Sequence, residues 1–253
     1  MTAILTMAQK REEFLKSIVS FEEFLISMNI AQREAERRLD HDVTLILSDY
    51  EKRANEHKKQ AMLQIFRKLE KDYFDNYYNG SEMVHHVLNM TLRHAEAEIM
   101  VDFSNETGQY VESKLNYAED RFLERLKGLV ENTYFKSAEL FGLRWEGEIK
   151  MPTFEAQRID GDIIEPGFSE TPRLSIADRL PTSILNPLIL KELKMRVPID
   201  IEKKCEVLYY YYQDYLRKSS SELKEIMRTM VDEAKNQLQS QLNAAISQRE
   251  DKC

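Results

Sequence analysis

From Phe14 onward an apolar or small residue returns at Ile18, Phe21, Leu25, Met28, Ala35, Leu39, Val43, Ile46, Tyr50, Ala54, Ala61, Ile65, Leu69 and Tyr73, with Gln32 and His57 in the two remaining slots. The mean step is about 3.7 residues, which keeps these positions on one stripe of a nearly straight helix. Neither Gly nor Pro interrupts the run before Gly80. The spacing predicts one helix over about 8–79, on the order of 90–110 Å long at about 1.5 Å per residue. A helix of that length needs partners along its whole stripe.

Asn79-Gly80-Ser81 reads as a stop followed by a start, since Gly suits a left-handed C-terminal cap and Ser an N-cap. A second stripe follows at Met83 or Val84, Val87, Met90, His94, Ala97 and Val101, predicting a helix over about 81–106. A softer break spans Asn105 to Gly108. The pattern resumes over about 108–141 through Val111, Leu115, Ala118, Phe122, Leu126, Leu129, Thr133, Phe135 or Lys136, and Leu140, and Gly142 closes it. Residues 81–142 are therefore expected to fold back antiparallel along the first helix.

All six prolines (Pro152, Pro166, Pro172, Pro181, Pro187 and Pro198) fall between 143 and 200, and proline breaks helices. Trp145, Gly147, Pro152, Gly161, Pro166 and Gly167 predict an ordered irregular excursion over 143–172, with short extended pieces at Leu143–Ile149 and Gln157–Ile164. Ser175–Arg196 reads as short helices broken at Pro181 and Pro187. Pro198 then sits in the first turn of a final helix, where proline is tolerated. That helix carries Ile201, Cys205, Leu208, Tyr212, Tyr215, Ser219, Leu223, Ile226, Met230, Ala234, Leu238, Leu242 and Ala245 on one stripe. The expected architecture is all-α, an elongated antiparallel bundle of long helices. It has a stalk over 1–142, an irregular proline-containing excursion with a candidate tip over 143–200, and a C-terminal stalk helix over 201–253.

Composition narrows the function. Hydrophobic residues make up 42% of the chain, enough for a core, while 32% charge and a mean hydropathy of -0.54 place much of the surface in water. No stretch approaches the roughly 18 apolar residues of a membrane span, and Met1–Lys10 has too short an apolar run for a secretory signal, so a cytoplasmic protein is expected. The two cysteines, Cys205 and Cys253, cannot build a disulfide scaffold or a zinc site. A net charge of -8 argues against a nucleic-acid binder, which needs a concentrated basic face. The charge is uneven: Lys+Arg fall short of Asp+Glu over 1–142 and 143–172, but exceed them over 173–253.

No glycine lies in a phosphate-binding loop or a G-x-G-x-x-G pattern, so neither a nucleotide-hydrolysing site nor a catalytic residue is assigned, and no cofactor is expected. His85, His86 and His94, with Glu98 one turn beyond His94, invite a metal reading, because residues four apart share a helix face. They lack the repeated Glu-x-x-His of di-iron bundles, and the favoured reading assigns no metal. Asp160-Gly161-Asp162 reads as a turn. Tyr209, Tyr210, Tyr211 and Tyr212 point around the whole helix circumference, with Tyr212 and Tyr215 on the buried stripe. The most suggestive segment is Leu180–Leu190, whose aliphatics Leu180, Ile184, Leu185, Leu188, Ile189 and Leu190 cluster between two prolines with Lys191 and Lys194 behind them. Such an apolar knuckle with basic shoulders suits partial insertion into an anionic membrane surface, or else it plugs the end of the bundle.

The junctions Lys10-Arg-Glu-Glu-Phe-Leu15, Ala138-Glu-Leu-Phe-Gly142 and Val197-Pro-Ile-Asp-Ile-Glu-Lys-Lys-Cys205, with the long helices between them, resemble the helical region of bacterial dynamin-like GTPases. The resemblance covers nearly the whole chain and implies a neck and trunk whose membrane-binding tip falls on Leu180–Leu190. The GTPase head and its motifs are absent from the sequence, so hydrolysis does not carry over. The expectation is a non-enzymatic, self-associating stalk, cytoplasmic and peripheral on the inner face of the cytoplasmic membrane, working with a GTPase head encoded upstream or as a separate chain. A soluble scaffold or adaptor that binds protein only, and a metal-binding bundle around His85, His86, His94 and Glu98, are the alternatives.

Overall fold

The computed structural model describes residues 2–74, 81–141, 159 and 181–250. Among them every element is helical: α1 (Thr2–Leu69), a π-helical turn (Glu70–Phe74), α2 (Ser81–Glu96), a second π-helical turn (Ala97–Val101), α3 (Asp102–Phe141) and α4 (Thr182–Glu250). None of the described helices is long and apolar enough to cross a membrane. Helix propensity alone does not hold 68 or 69 residues in helix in water, so burial along the stripe must. The stripe expected for α1 is the one buried: Phe21, Met28, Ala35, Leu39, Ile46, Tyr50, Ala54, Ala61, Ile65, Leu69 and Tyr73 are each within a few per cent of full burial. Gln32 and His57 are half-buried in their slots.

The chain divides into two compact units. The first comprises Met1–Val43, Asn116–Ala156 and Arg217–Cys253. Its core joins Met28, Ala35 and Leu39 of α1 to Ala118, Phe122, Leu126 and Val130 of α3 and to Leu223, Met227 and Val231 of α4. A smaller cluster sets Phe21 against Leu238 and Leu242. At its rim Asp40 pairs with Lys224, Glu36 with Arg228 through two 3.0 Å hydrogen bonds, and Asn29 with Lys235 at 2.7 Å. Each step back along α1 is matched by an equal step forward along α4.

The second unit comprises Thr44–Leu115 and Gln157–Leu216. Here Tyr50, Phe103, Thr107 and Tyr212 meet in the interior, and α2 packs against the π turn Glu70–Phe74.

Three expectations are corrected. The breaks at Pro187 and before Pro198 do not form. The carbonyl of Pro181 accepts the amides of Ile184 and Leu185 at 2.9 and 3.0 Å, and α4 then runs from Thr182 through both internal prolines. An internal proline costs about 3 kcal/mol. Set against the two is burial of Leu185, Ile189, Leu193, Val197 and Ile201, each contributing about 1.5–3 kcal/mol. The C-terminal helix therefore begins well before residue 201.

α3 also passes Gly108 without a break. A Cβ there would lie 3.3 Å from Ile159 Cγ2 and 3.7 Å from Tyr212 Oη, so the glycine makes room for side chains rather than ending a helix. Finally, α2 buries Leu88, Leu92, Ala95 and Glu96 and leaves Met90 and His94 exposed. The π turn at Ala97–Val101 widens one turn by a residue, and this rotates everything before it off the extrapolated stripe. The excursion expected over 143–172, Ile159 apart, lies outside the described residues, as do the pieces between 175 and 180.

Candidate functional site

The most chemically varied interior lies in the second unit. Tyr50 donates to the Cys205 carbonyl at 2.8 Å, Tyr212 donates to the Ser104 carbonyl at 3.1 Å, and the Tyr212 and Thr107 hydroxyls lie 3.0 Å apart. Desolvation raises all three acids here: Tyr50 well above its usual range, Tyr212 to about 12 and the Cys205 thiol to about 11. These groups stay protonated at neutral pH and fill the core, the two tyrosines as hydrogen-bond donors. A thiol held up in this way is inert rather than nucleophilic. His57 stacks on Phe103, and burial lowers its pKa to about 4, so it too is neutral.

One ionic cluster is buried beside them. Lys204 on α4 pairs with Glu96, the last residue of α2, and with Asp200 one turn back at 3.2 Å. Glu96 and Asp200 are 1% and 8% exposed. Desolvation lowers Lys204 to about 8, which leaves it charged at neutral pH between two carboxylates. Nearby Lys68 pairs with Glu98 on the second π turn. Both pairs tie α2 and the π turn to their neighbours. A shallow groove of about 360 Å³, lined by Tyr50, Asn55, Lys58, Cys205, Glu206 and Tyr209 among others, lies alongside.

The residues of the alternative metal reading do not converge among the described residues. His86 and His94 are exposed, Glu98 is committed to Lys68, and no group of three or more potential ligands forms among the described residues. The His85 side chain lies outside the described residues, as do Asp160 and Asp162. Of the tyrosine run, Tyr212 is buried, Tyr209 and Tyr211 are half-buried, and Tyr210 is 64% exposed.

The expected tip residues separate into two faces of one helix. Leu185 and Ile189 are core, at 3% and 1% exposure, while Ile184 and Leu188 are exposed and Leu190 is half-buried. Lys191 and Lys194 are exposed, and Leu180 lies outside the described residues. The proline-flanked knuckle is thus the first turns of α4.

A second set of apolar positions, not singled out by the core periodicity, stands in solvent. On α1, Leu15, Val19, Ile26 and Ile30 are 53–63% exposed; on α4, Ile184, Leu188, Met195 and Ile199 are 43–54% exposed. Single exposed aliphatics are ordinary, but these are spaced to share a face. Their signal, a fixed spacing offset from the core stripe, is present in the sequence but is hidden while the burial of every apolar residue is still open. Comparison with family models, with curated proteins and with solved structures returns no match for this chain.

Proposed function

We propose that this chain is a non-enzymatic helical scaffold that works by association through its helix faces, with itself in the first place. The reading takes the helices as an antiparallel bundle, supported by the equal and opposite steps of the Asp40–Lys224, Glu36–Arg228 and Asn29–Lys235 pairs. The carrying observation is the second apolar stripe on α1, whose members Leu15, Val19, Ile26 and Ile30 are all more than half exposed although the buried stripe of the same helix is already filled. An apolar helix face left in water gains from a partner that covers it. The titratable groups of the interior are spent on structure: Tyr50, Tyr212 and Cys205 stay protonated, and Lys204 is held between carboxylates. Sedimentation equilibrium over a wide concentration series tests the proposal. Mass should rise with concentration, and a monomer throughout would overturn it.

A second reading is peripheral contact with an anionic membrane. It is favoured by Ile184 and Leu188 standing exposed near Lys191 and Lys194. Burial of Leu185 and Ile189 restricts it to shallow contact by one face. On this second reading the chain is a dynamin-like stalk, which its junctions resemble, with a GTPase head supplied upstream or by another chain and a cytoplasmic location on the inner membrane face. Co-sedimentation with anionic vesicles, with and without Ile184→Ser and Leu188→Ser, tests the membrane contact.

A further inference from the structure

The two exposed stripes are copies of one pattern. On α1 four of the exposed apolar residues fall at Leu15, Val19, Ile26 and Ile30, and on α4 four fall at Ile184, Leu188, Met195 and Ile199; Leu45, Leu63, Val207 and Tyr210 lie beyond these stretches. Both follow steps of four, seven and four. Leu15 to Ile26, Val19 to Ile30, Ile184 to Met195 and Leu188 to Ile199 are all separated by the eleven-residue repeat that keeps a face aligned on a nearly straight helix. Two such faces can lie side by side over their whole length with apolar residues in matching positions.

The charges inside the patterns differ in sign. In the gap of the α1 stripe Glu22 and Glu23 are exposed, three or four residues from both Val19 and Ile26 and so on the same face. At the corresponding places on α4 stand Lys191, exposed, and Glu192, which accepts a 2.6 Å bond from Arg196. Exposed Lys194 follows Lys191 by three residues, at the edge of this face rather than in the gap. α1 against α1 would therefore oppose four carboxylates, whereas α1 against α4 sets one of Glu22 and Glu23 against Lys191 and the other against Glu192, whose charge Arg196 already offsets.

The ends choose the direction. Three residues beyond each stripe come Arg33 on α1 and Glu202 on α4, both exposed, Glu202 also accepting a 3.3 Å bond from Lys58 of its own chain. A parallel alignment, with Leu15 beside Ile184, puts Arg33 next to Glu202; the gap charges do not choose, since Lys191 meets Glu22 in the parallel alignment and Glu23 in the antiparallel one. An antiparallel one puts Glu12, exposed and three residues before Leu15, against Glu202.

We infer that the Leu15–Ile30 face of one chain docks in parallel on the Ile184–Ile199 face of a second copy of this chain. This deepens the scaffold reading above and rests on it. Every chain carries both faces, so the contact is head-to-tail and propagates into a ring or a filament. Four apolar residues a side make a small contact, so association is expected to depend strongly on concentration and salt.

Charge reversal tests the pairing. Glu22→Lys with Glu23→Lys makes both faces of a chain basic, and Lys191→Glu with Lys194→Glu makes both acidic. All four positions are exposed, and circular dichroism checks that the helices are retained. Each variant alone should associate about ten-fold or more weakly than the natural chain. An equimolar mixture of the two should recover association, because every contact in it then pairs unlike charges. In a background lacking Cys253, chains carrying Ile26→Cys should form disulfide-linked heterodimers with chains carrying Met195→Cys, faster than Val19→Cys chains do. If the variants associate like the natural chain, or the mixture fails to recover, the docking inference is overturned while the scaffold reading stands. Preference for the Val19→Cys pair would overturn the parallel register. A natural chain that stays monomeric overturns both readings. If Lys191→Glu with Lys194→Glu abolishes binding to anionic vesicles and leaves association between chains unchanged, the α4 face is a membrane contact and the inference fails.

Discussion

His57 of α1 lies flat on Phe103 of α3, with ring centroids 3.8 Å apart and planes 8° from parallel. Its Nε2 is buried and makes no hydrogen bond. A ring in that place is tolerated as a neutral, nearly apolar plate, which is why desolvation lowers its pKa from 6.5 to about 4.

The pH dependence follows from that shift. Between about pH 6.5 and 4 the unfolded chain binds a proton that the folded one refuses, so stability is full above 6.5 and falls as the pH drops through this window. The loss is on the order of 3 kcal/mol at one pKa unit per 1.36 kcal/mol. Urea denaturation of His57→Leu at pH 7.5 and at pH 5 should show a clearly smaller difference than the natural chain shows. An equal difference would mean that His57 is accessible to protons in the fold.

Glu119 carries the opposite sign in the first unit. The residue is 6% exposed, its Oε1 has no hydrogen-bond partner, and desolvation, helped by the charge of Asp120, raises it to about 7. The folded state prefers the protonated acid, so stability falls as pH rises from about 4.5 to about 7, where the unfolded chain ionises first. Glu119→Gln should raise the denaturation midpoint at pH 8 and leave it nearly unchanged at pH 4.5.

Lys204 is held by two buried carboxylates. Lys204→Met removes the ammonium that Glu96 and Asp200 share and should cost about 3–5 kcal/mol at neutral pH. Adding Glu96→Gln and Asp200→Asn should return most of that loss, because the penalty belongs to buried negative charge rather than to missing attraction. Chemical denaturation of the single and triple variants decides this.

The prolines within α4 offer a fourth check. Pro198 is inside a continuous helix. Pro198→Ala should restore a backbone bond and stabilise the chain, by up to about 3 kcal/mol where the backbone geometry relaxes fully. If a helix began at Pro198, the substitution would give no gain, as a first-turn proline costs nothing there.

Neighbouring aliphatics at the start of α4 should behave oppositely. Leu185→Ala should cost about 2–5 kcal/mol of stability, as a deletion in a packed core does, whereas Ile184→Ser should change stability by about 0.5 kcal/mol or less. Thermal denaturation of the two variants separates a buried helix face from an exposed knuckle, on which the two would respond alike.

Much of the fold was legible because helical periodicity is local. The stripe from Phe21 to Tyr73 and that from Val111 to Leu126 could be read from spacing alone, since an unbroken helix repeats its face without reference to anything outside it. The face of α2 was lost at Ala97–Val101, where one widened turn moves the register and no residue type marks it. Gly108 looked like a break because local propensity says so. The nearness of Ile159 and Tyr212, far along the chain, gives it another purpose. The buried Lys204–Glu96–Asp200 cluster left no trace in the sequence, as charged residues are presumed solvated until a partner distant in the chain is placed beside them.

The amino-acid sequence by itself determined that this protein is helical, that its helices are long, and which stripe most of them bury, because hydrophobic period and the scarcity of Gly and Pro act residue by residue. Only the tertiary structure decided that α4 runs through Pro187 and Pro198, that Leu185 and Ile184 belong to opposite environments, and that a second apolar stripe is left in water. Those outcomes depend on which face a neighbouring helix covers, and burial of five aliphatics against a packed core outweighs what a proline costs its own turn.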